Sequence, residues 1–349
     1  MKIKRRKTRQ IKVGSVRIGG GAPVSIQSMT NCDTSDVKSA VAQIRKLEAA
    51  GCEIVRVAVK DPEDAAAIAN IKKKISVPLV ADIHFDYRLA LAAIDSGADK
   101  IRINPGNIWK HREISRVAKA AKEARIPIRV GVNSGSAPSS TPDALVKAAL
   151  SCVKVLEDHH FRDIILSLKA SGVMPTIEAY RKIASACDYP LHLGVTAAGP
   201  YDSGIVKSSI GIGGLLADGI GDTIRVSLTD DPAEEVEVAR RILSALNIRR
   251  FGPDIISCPT CGRCRVDLVR IVADLESKLN SRRLKTCIAP ITVAVMGCEV
   301  NGPGEAREAD IGIAAGKGSG VLFINGKIVK RVKEKDFTSA LVKEIKKFK

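Results

Sequence analysis

Aromatic residues make up only 3% of this 349-residue chain. That scarcity weakens any reading as a single-strand nucleic-acid binder, which stacks successive bases on aromatic rings. No apolar run is long enough to span a membrane. The basic stretch Lys2-Ile3-Lys4-Arg5-Arg6-Lys7 has no apolar run behind it, so it does not read as a secretory signal. It also lies too close to folded-looking sequence to read as a transit peptide. No G-x-G-x-x-G follows the first predicted strand, which argues against a doubly wound dinucleotide fold. There is no low-complexity segment and no repeat beyond a β/α unit. The expected setting is a reducing cytoplasm, where the nine cysteines are free or metal-bound rather than paired.

What is abundant is positive charge: the net charge is +18 and the isoelectric point about 9.6. Nucleic acid, an anionic small substrate and an acidic protein partner each fit such a balance. A solvated basic surface accounts for most of the tail lysines, Lys343, Lys346, Lys347 and Lys349. Hydrophobic residues at 45% suffice for one large or two ordinary cores.

From residue 22 to about 246, short β-rich runs alternate with alanine-rich helical stretches. The runs are Pro23–Met29, Ile54–Val59, Pro78–His84, Lys100–Asn104, Ile126–Asn133, Ile164–Lys169, Leu191–Thr196 and Thr223–Ser227. Thr141-Pro142-Asp143 and Asp231-Pro232 mark helix starts. Eight such units predict an α/β chain with a (β/α)8 TIM barrel over 1–250, the substrate-binding domain. Polar residues recur at the ends of its strands: Gln27 and Ser28, Arg56, Asp82 and His84, Arg102 and Asn104, Arg129 and Asn133, Ser167 and Lys169, Thr196, Arg225 and Ser227. Four arginines at one barrel mouth need a strong counter-anion, and the guanidinium fork suits phosphate. Lys207-Ser208-Ser209 is expected to open the helix after the seventh strand, where barrels commonly hold phosphate. The substrate class is therefore a phosphorylated or diphosphorylated small molecule.

Residues 247–256 read as a linker. Beyond it a small α+β domain, 251–349, is expected from a helix at Asp267–Leu279, a strand at Ile291–Val295, a hairpin near Gly320–Val329 and a lysine-rich last helix. This domain carries Cys258-Pro259-Thr260-Cys261, then Cys264, and later Gly297-Cys298-Glu299-Val300-Asn301-Gly302-Pro303-Gly304. A structural zinc site would want a second C-x-x-C or a histidine, and neither is beside Cys298. An iron–sulfur cluster tolerates the irregular spacing, and a glycine-rich turn offers N–H groups to its sulfurs. Cys264 continues the C-x-x-C run and is a possible ligand by spacing. Cys32, Cys52, Cys152, Cys187 and Cys287 read as small buried apolar residues.

Gly20-Gly21-Ala22-Pro23 to Gln27-Ser28-Met29-Thr30, Ala81–Phe85, Ile101–Asn107, Leu193–Thr196, Gly219–Ser227, Cys258–Cys261 and Asn301–Glu305 together resemble one family. These stretches, distributed over essentially the whole chain, are similar to the 4-hydroxy-3-methylbut-2-enyl diphosphate synthases, iron–sulfur enzymes of the methylerythritol phosphate route to isoprenoids. The resemblance implies a [4Fe–4S] cluster held by Cys258, Cys261, Cys298 and the carboxylate of Glu305. Cys298 and Glu305 would stand at the chemistry, and Cys264 would be a bystander. It implies 2-C-methyl-D-erythritol 2,4-cyclodiphosphate as substrate, opened with two electrons from reduced ferredoxin or flavodoxin. Arg56, Arg102, Arg129, Lys207 and Ser227 match positions that hold its diphosphate, with Asn104, Asn133, Asp82 and His84 in the same pocket. It also implies a head-to-tail homodimer, the cluster domain closing over the partner's barrel, with neither membrane nor nucleic acid as a partner. One position departs from the family's pattern. Where G-[IV]-T-E-A-G is usual, this chain reads Gly194-Val195-Thr196-Ala197-Ala198-Gly199, so an acidic group is missing at Ala197. The rival readings are a pterin- or corrinoid-dependent methyltransferase and a basic RNA-binding protein with a zinc module.

Overall fold

The computed structural model describes all residues except 1–2, 109, 136–138, 171, 280–288, 299–303, 305, 308 and 349. The chain forms two compact units, Met1–Arg249 and Arg250–Lys349.

The first unit opens with a hairpin, β1 (Ile11–Val13) and β2 (Val16–Ile18), turned at Gly14 with φ +54°. Eight parallel strands follow: β3 (Ser25–Met29), β4 (Ile54–Val59), β5 (Leu79–Ile83), β6 (Lys100–Ile103), β7 (Ile128–Asn133), β8 (Ile164–Lys169), β9 (His192–Leu193) and β10 (Thr223–Ile224). They pair in the order β8-β7-β6-β5-β4-β3-β10-β9. A parallel bridge from Leu166 to Leu191 closes the ring. The expected (β/α)8 barrel is what the chain forms.

Helices α1 (Val37–Ala50), α2 (Pro62–Lys72), α3 (Tyr87–Asp95), α4 (His111–Ala124), α5 (Pro142–Asp158) and α6 (Val173–Ala186) return the chain between strands. After β9 come α7 (Tyr201–Ser208), a π-helical turn at Ser209–Gly213 and α8 (Gly214–Ala217); α9 (Pro232–Ala245) follows β10. The starts are written in the sequence. Thr141 accepts from the Ala144 N–H and Asp231 from the Ala233 N–H, each with a proline at the first helical position.

The hairpin plugs the barrel floor. Its Ile11, Val13 and Ile18 pack with the strand residues Ile54, Val80 and Ile165. Strand alternation then sets what lies above this floor. Arg56 stands two residues past Ile54, Asp82 two past Val80, and Ser167 and Lys169 two and four past Ile165. The register puts Arg102 beside Asp82 and Arg129 beside Arg102. The other face of β4, with Val55, Val57 and Val59, is apolar and buried beneath the helices.

The second unit is a five-stranded sheet, β11 (Asp254–Ser257), β12 (Thr292–Met296), β13 (Ile311–Ala315), β14 (Ser319–Ile324) and β15 (Lys327–Lys333), in that order. The first three strands run parallel and the last two form an antiparallel hairpin. Helices α10 (Leu268–Leu279) and α11 (Phe337–Ile345) bury Leu268, Ile271, Leu275, Phe337, Leu341 and Ile345 against one sheet face. The expected linker is shorter than 247–256: its last residues form β11, which pairs with β12 along Asp254–Ser257.

Candidate functional site

The barrel interior is a column of basic side chains. Arg56, Lys100, Arg102, Arg129 and Lys169 are all at least nine-tenths buried, with Asp82 among them. Arg56 and Arg129 stand inside their strands rather than at the ends, so the site descends well below the rim. Asp82 organises the centre. Its Oδ1 accepts from Arg102 Nη1 at 3.0 Å, and its Oδ2 lies 3.6 Å from Arg56 Nε. Burial alone would push this carboxyl up, but Arg56, Arg102, Arg129 and His84 outweigh it and hold it at about 2.

Arg102 is fixed from several sides. Its Nη2 donates to the Gly131 carbonyl at 3.0 Å, and its Nη1 lies 3.4 Å from His84 Nε2. Asn133, with its amide oxygen turned to Arg102, accepts from Nη2 at 3.2 Å. Gly131 makes room for this: a Cβ there would sit 2.7 Å from Arg102 Nε. Gly194 does the same for Lys169, whose Nζ lies 2.6 Å from where a Cβ would be. Asn104 Oδ1 accepts from the Gly106 N–H at 3.1 Å and shapes the loop after β6.

Arg129 differs from its neighbours. Its Nε and Nη1 are buried with no hydrogen-bond partner among the described residues. Burial, then Arg56 and Arg102, push its pKa well down. Lys100 and Lys169 are pushed down in the same way, by burial first and then by Arg129 and Arg56. A guanidinium does not shed its proton in a protein, so the cost persists until an anion relieves it. Buried N–H donors without acceptors, among like charges, are chemically suited to accept a multivalent anion.

Several expectations are corrected. Lys207 does not open a helix. It lies in the last turn of α7, exposed, and the Ser209 N–H is already spent on the Ile205 and Val206 carbonyls. The Lys207–Ser209 amides therefore offer no anion cradle. Ser28 faces out of the barrel and donates to Glu235 Oε2 at 3.1 Å. Arg225 is not a free fourth member of the cluster, because its Nη2 donates to Glu235 Oε1 at 3.0 Å. Ser227 is half-buried in the loop after β10. Lys100, Glu235 and His192 escaped the sequence reading. His192 is fully buried with both ring nitrogens unpartnered among the described residues, and burial followed by Arg129 and Lys169 drives its pKa well down. Lys100 and His192 lie at the starts of their strands, where barrels carry structural residues, so strand-end logic overlooked them.

In the second unit, Cys258 directly follows β11 and Cys298 follows β12 by one residue, at the same end of two neighbouring strands. The Gly297 N–H donates to Cys258 Sγ at 3.2 Å. This is the N–H to sulfur bond that stabilises a thiolate ligand. Cys261 is exposed. Cys264 points its thiol at the Val266 carbonyl, 3.2 Å away, and its Sγ fills the space a Gly297 Cβ would need. Among the described residues no three Cys, His, Asp or Glu side chains converge as a metal-holding group. Glu305 and Cys287 lie outside the described residues. Cys52 and Cys152 are buried, their thiols pushed up to about 12 by desolvation, whereas Cys32 and Cys187 are only half-buried.

The family model for a GcpE TIM-barrel domain matches residues 8–240, and that for a GcpE protein C-terminal domain matches residues 254–347. The chain belongs to the GcpE family. A relative from Thermodesulfovibrio yellowstonii, a 4-hydroxy-3-methylbut-2-en-1-yl diphosphate synthase (flavodoxin), is 55% identical over 353 residues, covering 99% of this chain and 100% of that protein. A protein of the same description from Clostridium perfringens is 55% identical over 351 residues, covering 98% of this chain and 99% of its own. Among solved structures, a dihydropteroate synthase from Yersinia pestis superimposes with a TM-score of 0.52 at 11% identity, over 68% of this chain and 98% of that one. That likeness carries the barrel architecture and nothing of the chemistry. Among the described residues no helix is long and apolar enough to cross a membrane.

Proposed function

We propose that this GcpE-family chain is a 4-hydroxy-3-methylbut-2-enyl diphosphate synthase. It takes 2-C-methyl-D-erythritol 2,4-cyclodiphosphate, adds two electrons and two protons, opens the ring and releases one water. The observation that carries the reading is the buried basic column of Arg56, Lys100, Arg102, Arg129 and Lys169, balanced within the barrel by Asp82. A cyclic diphosphate supplies the missing negative charge, and its oxygens accept from the idle Nε and Nη1 of Arg129. Asp82 holds Arg56 and Arg102 apart and pre-aims them, so little reorganisation accompanies binding. Asn133 and His84 fix the far side of Arg102.

Cys258, Cys261 and Cys298, with Glu305 as a fourth, oxygen ligand, would hold a [4Fe–4S] cluster. Thiolate donors and the Gly297 N–H already aimed at Cys258 Sγ fit such a group. A cluster held there would supply one-electron transfer chemistry. The electron donor is a flavodoxin or ferredoxin. Lys207 and Ser227 are assigned to the outer rim of the same anion site, and Asn104 to the loop that shapes it.

Topology supports a two-fold, head-to-tail homodimer. Helix α9 runs against the strands, so Ala245 ends on the barrel face away from the arginines. Leu246 to Arg249 fold back on α9, and Arg249 donates to the Val24 carbonyl at 2.8 Å, so residues 250–253 reach at most about 18 Å to β11. A cluster-bearing unit of one copy serving the barrel of another satisfies that reach. Sedimentation that finds a fully active monomer would exclude it.

The deciding experiment is anaerobic turnover of the cyclic diphosphate with reduced flavodoxin, with visible and EPR spectra of the same sample. A brown protein whose reduced signal changes with substrate, and which releases the linear diphosphate, is expected. A colourless zinc protein that binds the cyclic diphosphate without converting it would overturn the reading.

A further inference from the structure

The second unit carries a feature that neither the anion site nor the cysteines use. A groove of about 590 Å³ lies between β15 and α11, lined by Lys330, Arg331, Lys333, Lys335, Lys343 and Asp336. Ser339, Ala340 and Lys343 form one stripe of α11 at helical spacing, with Asp336 just before the helix, and together they line the groove. Glu344 pairs with Lys330 at 3.4 Å and with Lys347 at 2.6 Å. Arg331, Lys333, Lys335 and Lys343 are exposed and have no carboxylate within ion-pair distance among the described residues.

Lysines on an edge strand commonly serve to block sheet-to-sheet aggregation. That reading covers Lys330 and Lys333 on β15, which is a sheet edge. It leaves Lys335 and Lys343, which lie off the strand, unexplained. It also conflicts with Ile328 and Val329 on the same strand, 72% and 51% exposed. A protected edge hides such residues, whereas an interface displays an apolar patch beside a charged rim.

Register brings the groove to the cysteine end of the sheet. Ser257 stands beside Val295, Val295 beside Ile313, Ile313 beside Leu322 and Leu322 beside Lys330. Lys330 is therefore level with the residue before Cys258. Because β15 runs parallel to β11 and β12, Arg331 to Lys333 leave the sheet at the end where Cys258 and Cys298 do. Three strand spacings, roughly 14 Å, separate β15 from β12, and four, roughly 19 Å, separate it from β11.

We propose that this groove is the docking surface for an acidic, flavin-carrying one-electron donor. The inference rests on the function proposed above, since it takes the cysteine end of this unit as the point where electrons enter. Each encounter passes one electron from the reduced flavin of the carrier into the unit, the flavin losing one. Two encounters supply the two electrons of a turnover. The unpaired lysines steer the carrier by charge, so they set the association rate and its dependence on salt. Ile328 and Val329 supply the apolar contact that holds it.

The test uses the full-length, anaerobically reconstituted protein and purified flavodoxin. Lys333→Glu/Lys335→Glu/Lys343→Glu is expected to weaken flavodoxin binding, read by calorimetry, by about tenfold or more and to flatten its salt dependence. Flavodoxin-driven kcat/KM should fall by a similar factor, while turnover driven by reduced methyl viologen stays within twofold. The milder set Lys333→Gln/Lys335→Gln/Lys343→Gln should give an intermediate loss at an unchanged thermal midpoint, which separates docking from misfolding. Unaltered flavodoxin affinity and salt slope in both sets would overturn the proposal. So would a groove that binds RNA, with the substitutions removing RNA binding and leaving flavodoxin binding intact. A parent protein that binds flavodoxin through these lysines but converts no cyclic diphosphate with any donor would sink the function and leave the docking surface standing.

Discussion

Glu235 Oε1, on α9, accepts from Arg225 Nη2 at 3.0 Å, tying the loop after β10 to the helix that follows it. The same oxygen accepts from the Leu228 N–H at 3.0 Å, and its twin accepts from Ser28 Oγ at 3.1 Å. One carboxylate thus satisfies three donors and balances one arginine. Glu235→Ala would leave the Arg225 guanidinium and the Leu228 N–H without this acceptor, while Ser28 keeps the Pro232 carbonyl at 3.3 Å, so unfolding free energy should fall by about 3 kcal/mol. Glu235→Gln keeps an acceptor and should cost clearly less. Chemical denaturation of both variants checks this; equal losses would show that the packing of the side chain, rather than its charge and hydrogen bonds, holds α9.

Asp82 makes acid sensitivity predictable. Its folded pKa, about 2, lies below the ordinary value of 3.8. A depressed carboxyl contributes stability that is complete above pH 4 and is lost as pH falls towards 2. The shift corresponds to about 2 kcal/mol. Asp82→Asn should therefore be less stable than the parent at neutral pH, with the gap narrowing between pH 4 and 2. A gap that does not change with pH would remove Asp82 as its source.

Much of this was legible in the chain. Arg56, Asp82, Arg102 and Arg129 sit in runs whose alternation predicts which face they take, and Thr141 and Asp231 announce helices through capping chemistry. The hairpin at Ile11–Ile18 was not legible, because two three-residue strands offer too little alternation to stand out. β11 was hidden because Asp254–Ser257 becomes a strand by pairing with β12, a long-range contact that local sequence does not display. Lys207 was misplaced because α7 starts at Tyr201, after Pro200, with no capping side chain to mark it. The interior role of Gly131 and Gly194 is tertiary by nature, since it depends on Arg102 and Lys169 arriving from neighbouring strands.

Those glycines give a sharp test. A Cβ at Gly131 would stand 2.7 Å from Arg102 Nε and 3.2 Å from Ser167 Oγ. Arg102 is held by Asp82 and the Gly131 carbonyl, so it cannot simply move aside. Gly131→Ala should raise the KM for the cyclic diphosphate by about tenfold, the scale of one charge-assisted hydrogen bond. At Gly194 the added Cβ would meet the Arg225 carbonyl at 2.7 Å as well as Lys169. Backbone yields less than a side chain, so Gly194→Ala should also lower the thermal midpoint. Parent-like kinetics in both variants would show that the basic column tolerates displacement.

The cysteines divide into two predicted classes. Cys258 receives the Gly297 N–H, whereas Cys264 spends its thiol on the Val266 carbonyl. Cys258→Ser should lose iron and the visible absorption of the cluster. Cys264→Ala should keep both at near-parent stoichiometry after anaerobic reconstitution. Loss of iron from Cys264→Ala at parent-like thermal stability would make Cys264 a ligand.

Ala197 is the position where this chain parts from the motif it otherwise follows. It lies exposed in the loop after β9, with φ +53°. A left-handed backbone at an alanine costs about 1 kcal/mol, which glycine would avoid. Two changes separate backbone from chemistry. Ala197→Gly should stabilise the loop slightly and leave kcat unchanged. Ala197→Glu supplies the acidic group of the motif and should raise kcat by at least an order of magnitude, within the roughly 10²–10⁴-fold range of one acid–base residue. Substrate affinity should change little, because Arg56, Arg102 and Arg129 stay as they are. If Asp202, exposed in the first turn of α7, already performs the proton transfer, Ala197→Glu adds nothing and Asp202→Asn abolishes turnover. Measuring kcat for both variants on the same reconstituted preparation assigns the acid to one position or the other.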